Sequence, residues 1–379
     1  MSARPFTHLH CHSHYSLLDG ASSIKKLVQR TVDHGMNSLA LTDHGNLHGA
    51  LEFYREAKSK GINPIIGYEA YIAPGGRKEK GSGGSKENSY HLTLLCQNKT
   101  GFSNLIKMAS AASLEGFYFK PRIDKELLEE YNEGIICLSG CVSSEFSRAI
   151  LKSGGNGAEQ NFEQAKEVAS WFSNLFGDRY FIEIMNNGVD IQQAQLQGAV
   201  ELANNMGLPL VATSDCHYVD REDAEAQDVM LCINTGKFRT DQQRMKMEGT
   251  EFYLRSPEDM YSNFPKLEDA VARSQEIADS VDIELELGAR HFPIFDLPQE
   301  ESAEDKLRQL CLDGLMDRYA NNTEMYDDGK FAQVVMDRLD RELSVINKLG
   351  FANYFLICWD FVEQARQRGI PATLSLIHI

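Results

Sequence analysis

The chain has 379 residues, of which 42% are hydrophobic, so it is too long for one ordinary domain and has enough apolar residues for two cores. Its net charge of −17 argues against a stand-alone nucleic-acid-binding protein, because such proteins carry a basic surface, but it does not exclude a metal-dependent enzyme that acts on nucleic acid. No apolar stretch is long enough to span a membrane and no signal peptide is present, which indicates a cytoplasmic protein without a membrane partner.

The first 220 residues predict strands that alternate with helices. Strands are expected over residues 6–10, 38–42, 63–72, 90–96, 134–139, 180–185 and 208–213. Helices are expected over residues 24–33, 49–59, 102–112, 158–176 and 191–206, and the Gly- and Lys-rich residues 74–88 predict an exposed loop. This alternation favours parallel β/α units, and about seven such units suit a barrel better than an open sheet.

From about residue 255 onward the pattern becomes mostly helical. Helices are expected over residues 256–260, 267–282, 304–319, 330–349 and 351–367, with a proline-containing crossing at residues 291–298. The change of pattern predicts that a second domain begins in this part of the chain.

Side chains that bind metals recur at the carboxyl ends of the predicted strands, where β/α barrels carry their active sites. Seven of the eleven histidines lie within the first 48 residues, which is far from an even distribution. The candidate ligands at these strand ends are His10, His12, Asp19, His44, Glu69, Cys141, Asp215 and His217. His91 fits least well, because it begins its predicted strand instead of ending it.

These residue types point to metal-assisted hydrolysis. The His-x-His and Asp-x-His pairs place alternate side chains on one face of an extended segment, so both members of a pair can reach one ion. Imidazole and carboxylate suit zinc, manganese or iron, and a cysteine favours zinc. Two or three such ions would bind a phosphate and lower the pKa of a bridging water, so the predicted reaction is phosphoester hydrolysis without a covalent enzyme intermediate.

Other residues of the same types have simpler interpretations. A lone histidine is more often a surface or core residue than a ligand, and we interpret His8, His14, His34 and His48 in this way. His14 is the doubtful member, since it continues the alternation of the first histidines. Glu183 also ends a strand, and the sequence leaves open whether it supports a ligand or is solvated.

Six motifs follow one another along the chain in a specific order. They are Leu9-His10-Cys11-His12-Ser13 with Leu18-Asp19-Gly20, Leu41-Thr42-Asp43-His44-Gly45-Asn46, Gly67-Tyr68-Glu69-Ala70-Tyr71, Tyr90-His91-Leu92-Thr93, Leu138-Ser139-Gly140-Cys141 and Ala212-Thr213-Ser214-Asp215-Cys216-His217-Tyr218. Together they resemble the polymerase-and-histidinol-phosphatase (PHP) domain at the N-terminus of bacterial DNA polymerase III alpha subunits. The resemblance runs from residue 5 to about residue 371, and the segments Ser256-Pro257-Glu258-Asp259-Met260 and Tyr354-Phe355-Leu356-Ile357 resemble the link into the polymerase palm.

The resemblance implies both a fold and a ligand set. The fold would be a distorted, TIM-like (β/α)7 barrel over residues 1–280, followed by the mostly helical start of a polymerase palm domain over residues 281–371. The nine metal ligands of the family correspond to His10, His12, Asp19, His44, Glu69, His91, Cys141, Asp215 and His217. These would bind two to three divalent ions, with zinc expected and manganese or iron as alternatives. Because all nine residue types are present, the chain resembles the family members credited with metal-dependent 3′–5′ exonuclease activity.

The end of the chain departs from the family pattern. Residues 372–379 form an atypical tail where the family continues with a Gly- and Arg-rich loop, and we expect the chain to be truncated there. The palm carboxylates that bind magnesium would lie further on, so this chain alone is not expected to polymerise DNA, although its full-length parent would be a DNA-directed DNA polymerase. The expected partners are DNA, the sliding clamp and the clamp loader, with a separate proofreading exonuclease as a further candidate.

Two other functions remain open from the sequence. One is a stand-alone PHP phosphatase that acts on a small phosphate monoester such as histidinol phosphate, against which stand the chain length and the palm-like segment. The other is a scaffold in which the metals only stabilise the barrel while its surface binds a proofreading exonuclease.

Overall fold

The computed structural model describes residues 4–80, 89–153, 162–289, 291–298 and 301–371. Two compact units are present, Met1–Leu285 and Glu286–Ile379. Parts of three predicted segments lie outside the described residues. They are the tail at residues 372–379, the end of the loop at residues 81–88 and the start of the helix at residues 158–161. None of the helices in the described ranges is long and apolar enough to cross a membrane.

The larger unit is built around one curled sheet. Its strands are β1 (Ser38–Leu41), β2 (Asn63–Ile72), β3 (Tyr90–Cys96), β4 (Arg122–Ile123), β5 (Ile135–Leu138), β6 (Tyr180–Met185) and β7 (Leu210–Thr213). The strand order is β1-β2-β3-β5-β6-β7, and β4 pairs with β2 outside this order. The predicted strands over residues 63–72, 90–96 and 180–185 are confirmed with these bounds.

Helices cover this sheet and connect its strands. They are α1 (Ile24–Asp33), α2 (Ala50–Ser59), α3 (Lys99–Leu114), α4 (Lys125–Tyr131), α5 (Glu145–Ser153), α6 (Glu163–Phe176), α7 (Asp190–Met206), α8 (Ala224–Thr235), α9 (Pro257–Asn263) and α10 (Glu268–Asp279). The predicted helix over residues 24–33 is confirmed with these bounds, and the Ser23 side chain caps its start by accepting a hydrogen bond from the backbone N–H of Lys26. Helices α4, α5 and α8 were not predicted from the sequence.

The expectation that all strands run parallel is wrong for β3. Strand β3 pairs antiparallel with both β2 and β5, whereas β1 with β2, β5 with β6 and β6 with β7 are parallel pairs. No helix lies between β2 and β3 in the described residues, so the chain returns beside β2 in the opposite direction. The fold is therefore a distorted β/α barrel, as the resemblance implies.

The predicted first strand is not a regular strand, although its backbone completes the barrel. His8 and Cys11 accept backbone hydrogen bonds from Ala40 and Thr42, at the edge of β1. On its other side this segment, residues 6–12, exchanges backbone hydrogen bonds with Cys216, which follows β7. The segment thus lies between the first and last strands of the sheet and places its side chains in the middle of the unit.

The smaller unit is mostly helical, as predicted. It contains α11 (Ala303–Tyr319), β8 (Tyr326–Asp327), β9 (Lys330–Phe331), α12 (Gln333–Lys348) and α13 (Ala352–Gln367). The two short strands form a hairpin where the sequence predicted the start of a long helix at residue 330. A small core of Leu307, Leu343, Ala352 and Leu356 holds the helices together.

Candidate metal centre

Two histidines of the N-terminal segment begin the candidate site. His10 and His12 are both fully buried, and because they alternate along an extended backbone their side chains lie on the same face. His10 Nε2 lies 3.5 Å from Glu69 Oε1 and 3.5 Å from Asp215 Oδ1. His12 Nε2 lies 3.4 Å from Glu69 Oε2 and 3.2 Å from Asp215 Oδ1. Ligands from opposite ends of the sheet therefore meet at these two rings.

Three more predicted ligands surround the ring of His12. The ring of His44 stacks on one side of it at 4.2 Å and that of His217 at 4.3 Å, measured between ring centroids. Asp19 Oδ2 lies 3.4 Å from His44 Nε2 and 3.9 Å from His217 Nε2. His44 Nδ1 also contacts Glu69 Oε2. The turn after the first segment and the loops after β1 and β7 thus supply one continuous group of side chains.

His91 and Cys141 complete the group on the other side of Glu69. His91 Nδ1 lies 2.9 Å from Glu69 Oε1, and the Cys141 Sγ atom lies 3.7 Å from each of them. The antiparallel direction of β3 explains the position of His91, because the beginning of β3 lies beside the end of β2, where His91 pairs with Tyr71. All nine predicted residues are therefore brought together.

Buried atoms without partners show that this group of side chains is suited to metal ions. In the described residues, six buried nitrogen or oxygen atoms of the group face one another at short range but make no hydrogen bond of acceptable geometry: His10 Nε2, His12 Nε2, Asp19 Oδ1, His44 Nδ1, Glu69 Oε2 and Asp215 Oδ1. A buried polar atom without a partner costs on the order of 1–3 kcal/mol, so such atoms are rare unless they have a function. Nitrogen and carboxylate oxygen donors with one thiol are a donor set that fits zinc and related divalent ions.

The donor atoms also form overlapping sets. Three sets have all their donor atoms within 4.8 Å of one another: His12 with His44 and His217, His10 with His12 and Glu69, and His44 with Glu69 and His91. Because Glu69 and two histidines are shared between sets, the arrangement suits more than one ion better than a single tetrahedral site.

Burial and neighbouring charges shift the pKa values of the side chains in the group, often in opposite directions. Burial lowers the pKa of His12 to about 3, with the neighbouring histidines adding to the effect, so its ring is neutral. Burial disfavours the charged forms of His10 and Glu69, but the surrounding carboxylates raise the pKa of His10 and the surrounding histidines lower that of Glu69. Burial and nearby carboxylates raise the pKa of the Cys141 thiol, and a bound cation would reverse that effect.

Glu183, which the sequence left open, is a buried partner of His10. Its Oε1 atom accepts hydrogen bonds from His10 Nδ1 at 2.8 Å and from Thr213 Oγ1 at 2.7 Å. Its Oε2 atom accepts from Thr93 Oγ1 at 3.1 Å and from the Gly140 backbone N–H at 3.0 Å. This carboxylate directs the other ring nitrogen, Nε2, toward the group, as partners of metal-binding histidines do.

A second supporting network, which the sequence analysis did not identify, holds His12. Its Nδ1 atom lies 2.9 Å from Ser16 Oγ, and Ser16 donates to Asp43 Oδ1 at 2.8 Å. Asp43 also accepts hydrogen bonds from the backbone N–H and the hydroxyl of Ser13. The sequence did indicate that Asp43 lies near the group, because it directly precedes His44 in one of the motifs. That the Asp43 side chain is buried could not be inferred from the spacing of the motif.

The four histidines interpreted as structural or surface residues lie outside the group. His8 is buried, where its Nε2 donates to the Arg255 carbonyl and its Nδ1 accepts from the Ser214 hydroxyl. His34 bonds a backbone carbonyl, and the exposed His14 does the same. The structure thus agrees with the simpler interpretation for these three histidines, including the doubtful His14.

The sequence matches two protein families. Residues 8–187 match the PHP domain, and residues 305–374 match the family described as the bacterial DNA polymerase III alpha NTPase domain. The last two predicted ligands, Asp215 and His217, lie beyond the first match.

Two DNA polymerase III alpha subunits agree with these matches. DNA polymerase III subunit alpha of Borreliella burgdorferi is 42% identical over 97% of this chain and 31% of its own length. The subunit of Treponema pallidum is 40% identical over 98% of this chain and 30% of its own length. A two-domain protein from Bacteroides vulgatus with a predicted PHP-like metal-dependent phosphoesterase aligns with a TM-score of 0.37 at 14% identity, over 72% of this chain and 63% of its own. The chain spans about a third of the length of the curated relatives it matches. It belongs to the bacterial DNA polymerase III alpha family and contains a PHP domain.

Proposed function

We propose that the nine side chains of the candidate centre bind two or three divalent metal ions, with zinc favoured and manganese or iron as alternatives, and that the centre hydrolyses phosphodiester bonds at DNA 3′ ends. The observation that carries the proposal is the set of six buried nitrogen and oxygen atoms that face one another within one group without forming hydrogen bonds of acceptable geometry. Ions that bind there would bind the phosphate and lower the pKa of a water molecule.

The residues would divide this task among themselves. Glu69 contacts four histidines through its two oxygens, so it is the side chain best placed to be shared between ions. Glu183 holds His10 with its Nε2 atom free, and Ser16 does the same for His12. These supports restrict the rings before any ion binds, which reduces the entropic cost of forming the site.

Direct attack by water fits the centre better than a covalent intermediate. The one thiol among the nine is Cys141, and its Sγ atom lies 3.7 Å from both Glu69 Oε1 and His91 Nδ1, inside the group. A sulfur that binds an ion there is engaged as a ligand and is not free to attack a phosphate. We therefore assign Cys141 a role as a ligand.

The choice of DNA rests on the family relationship and goes beyond the chemistry of the centre. As part of a longer replicative DNA polymerase, the chain would contribute proofreading, with magnesium serving polymerisation elsewhere in the protein. Its proposed partners are DNA, the sliding clamp, the clamp loader and, where proofreading is shared, a separate exonuclease subunit. A net charge of −17 predicts weak DNA binding by this chain alone, with binding that weakens further as salt increases.

The test is an exonuclease assay at low salt on single-stranded and mismatched 3′ ends, with protein loaded with zinc or manganese. Nucleotides should be released from the 3′ end, and chelator should abolish the release. His10→Ala and Asp215→Ala should abolish it as well, whereas His14→Ala, a matched control from the same segment, should retain it. Activity that survives both ligand substitutions would identify a contaminating nuclease and contradict the proposal.

The same preparation separates the alternatives. Hydrolysis of a small phosphate monoester without release of nucleotides would favour the stand-alone phosphatase. Full metal loading without hydrolysis of either substrate would favour metals that only stabilise the barrel.

A further inference from the structure

A cavity of about 420 Å³ opens directly beside the candidate centre. It is lined by Tyr15, Ser16, Leu17, Leu18, His44, Gly45, Asn46, His48, Tyr71, Ser113, Phe117, Phe119, Lys120 and Pro121. His44 belongs to both the centre and the cavity wall, so a molecule in the cavity lies next to the proposed ligands. The volume is within the range of about 300–1,000 Å³ that is usual for small-ligand sites.

One wall of the cavity presents exposed aromatic rings. Phe117 and Phe119 each expose 55% of their surface, so together they present an apolar surface at this wall of the kind that binds ligands. Phe119 has a positive φ of 58°, and the backbone N–H of Tyr118 donates to the Lys120 carbonyl across it. A phenylalanine held in this disfavoured conformation indicates a position selected for something other than stability.

The cavity also contains one cation without a carboxylate partner. In the described part of the chain, the half-buried Lys120 forms no ion pair, and its Nζ atom lies 4.2 Å from the centroid of the Tyr71 ring. The Tyr71 ring in turn lies 5.8 Å from the ring of His44 and 5.1 Å from that of His91. The ammonium group is thus separated from the centre by a single ring, where it can contact a phosphate next to the bond that is cleaved.

We propose that this cavity is a subsite for unpaired nucleotides of a single DNA strand, in which Lys120 pairs with a backbone phosphate and Phe117 and Phe119 stack on bases. The assignment deepens the proposed function and rests on it. Aromatic stacking combined with a cation is the means by which proteins bind single-stranded nucleic acid without sequence preference. A small, polar phosphate ester would gain little from two exposed phenyl rings.

A second cavity extends the first along α3. It has a volume of about 410 Å³ and shares Gly45, Asn46, His48 and Ser113 with the first. It continues to Ile106 and Leu114, which are 44% and 86% exposed. The two cavities are therefore neighbours with a common wall, so space for more than the terminal nucleotide lies close to the centre.

The test measures binding separately from hydrolysis. Fluorescence anisotropy of a labelled, short oligothymidylate, with a phosphorothioate at its 3′ end to slow cleavage, gives Kd for the zinc-loaded protein at low salt. Lys120→Ala should raise Kd roughly tenfold, and the double substitution Phe117→Ala with Phe119→Ala should raise it by about thirtyfold or more. Matched controls are Lys26→Ala on the exposed surface of α1 and Phe361→Ala, where the native ring is 68% exposed in the smaller unit. Zinc content and melting temperature verify folding of every variant.

The outcomes distinguish the subsite from the proposed function. Binding that is weakened by the cavity substitutions but not by the controls supports the subsite, even if the wild type cleaves no DNA and the exonuclease proposal fails. Unchanged Kd in the cavity variants overturns the subsite, even if the wild type is an active exonuclease. Equal weakening in the controls and cavity variants also overturns it, because the binding would then be non-specific.

Discussion

The substitution Glu183→Gln tests how the buried partner of His10 controls the metal centre. All four groups that contact the Glu183 carboxylate donate to it: His10 Nδ1, the hydroxyls of Thr93 and Thr213, and the backbone N–H of Gly140. A carboxylate can accept all four hydrogen bonds, whereas one end of an amide is a donor only. The substitution keeps the shape of the side chain and removes two acceptor positions.

Each orientation of the new amide has a distinct cost. If its NH₂ group faces His10, the imidazole must move its proton to Nε2, and that nitrogen can no longer bind a metal. If it faces Gly140 instead, the backbone N–H loses its acceptor, which costs about 1–3 kcal/mol of folding free energy. Loss of such a partner typically weakens metal binding by about 10–100-fold.

We therefore expect Glu183→Gln to lower zinc affinity by about 10–100-fold and the melting temperature by roughly 2–12 °C. Zinc affinity is measured by competition with a chromogenic chelator, and melting of the metal-free protein by calorimetry. Glu201→Gln, at an exposed position of α7, is the matched control and should change neither quantity. A Glu183→Gln protein that equals the wild type in both measurements would refute the role assigned to this carboxylate.

Further predictions concern the ions and the loop that carries His44. Elemental analysis after zinc-supplemented purification should find more than one ion per chain, and less than one would contradict a multinuclear centre. Asp215→Ala should lower both zinc content and melting temperature, because an ion that binds only the folded state stabilises it, and unchanged melting would count against this coupling. Gly45→Ala should destabilise the protein more than Gly61→Ala. Both glycines have positive φ, at 66° and 73°, but a Cβ at Gly45 would lie 2.9 Å from Tyr71 and Pro121, whereas nothing lies within 4 Å at Gly61. Equal melting temperatures of the two variants would show that the loop can move aside.

Much of the barrel could be predicted because its elements have strong local signals. Helix α1 begins and ends at the predicted residues, since Ser23 caps its start and Gly35 adopts a positive φ after its end. Strands β2, β3 and β6 also have the predicted bounds, because each is a mostly apolar run rich in β-branched, leucine and aromatic residues. Helices α4 and α5 were missed because they have only 7 and 9 residues, whereas α8 was missed although it has 12.

The candidate ligands were predictable for a related reason. Side chains at the carboxyl ends of neighbouring parallel strands meet at one edge of a barrel, so identifying the strands nearly identifies the group. The supporting residues were harder to find, because Glu183 and Asp43 look like ordinary acidic residues until burial and hydrogen bonding are known. Sequence position can show that a side chain is near the centre, but it cannot show which way its hydrogen bonds run.

The position of His91 in the sequence contained information about the direction of strand β3. It begins its predicted strand, so a parallel barrel would place it at the far end from the other ligands. A parallel connection needs a crossover of a dozen or more residues, usually a helix, and the residues between β2 and β3 predict only a loop. A connection predicted as loop without a helix favours an antiparallel return, and strand β3 does run antiparallel, with its first residues at the end of β2, near Glu69. A ligand motif at the start of a strand, after a connection with no helix, thus predicts the direction of that strand.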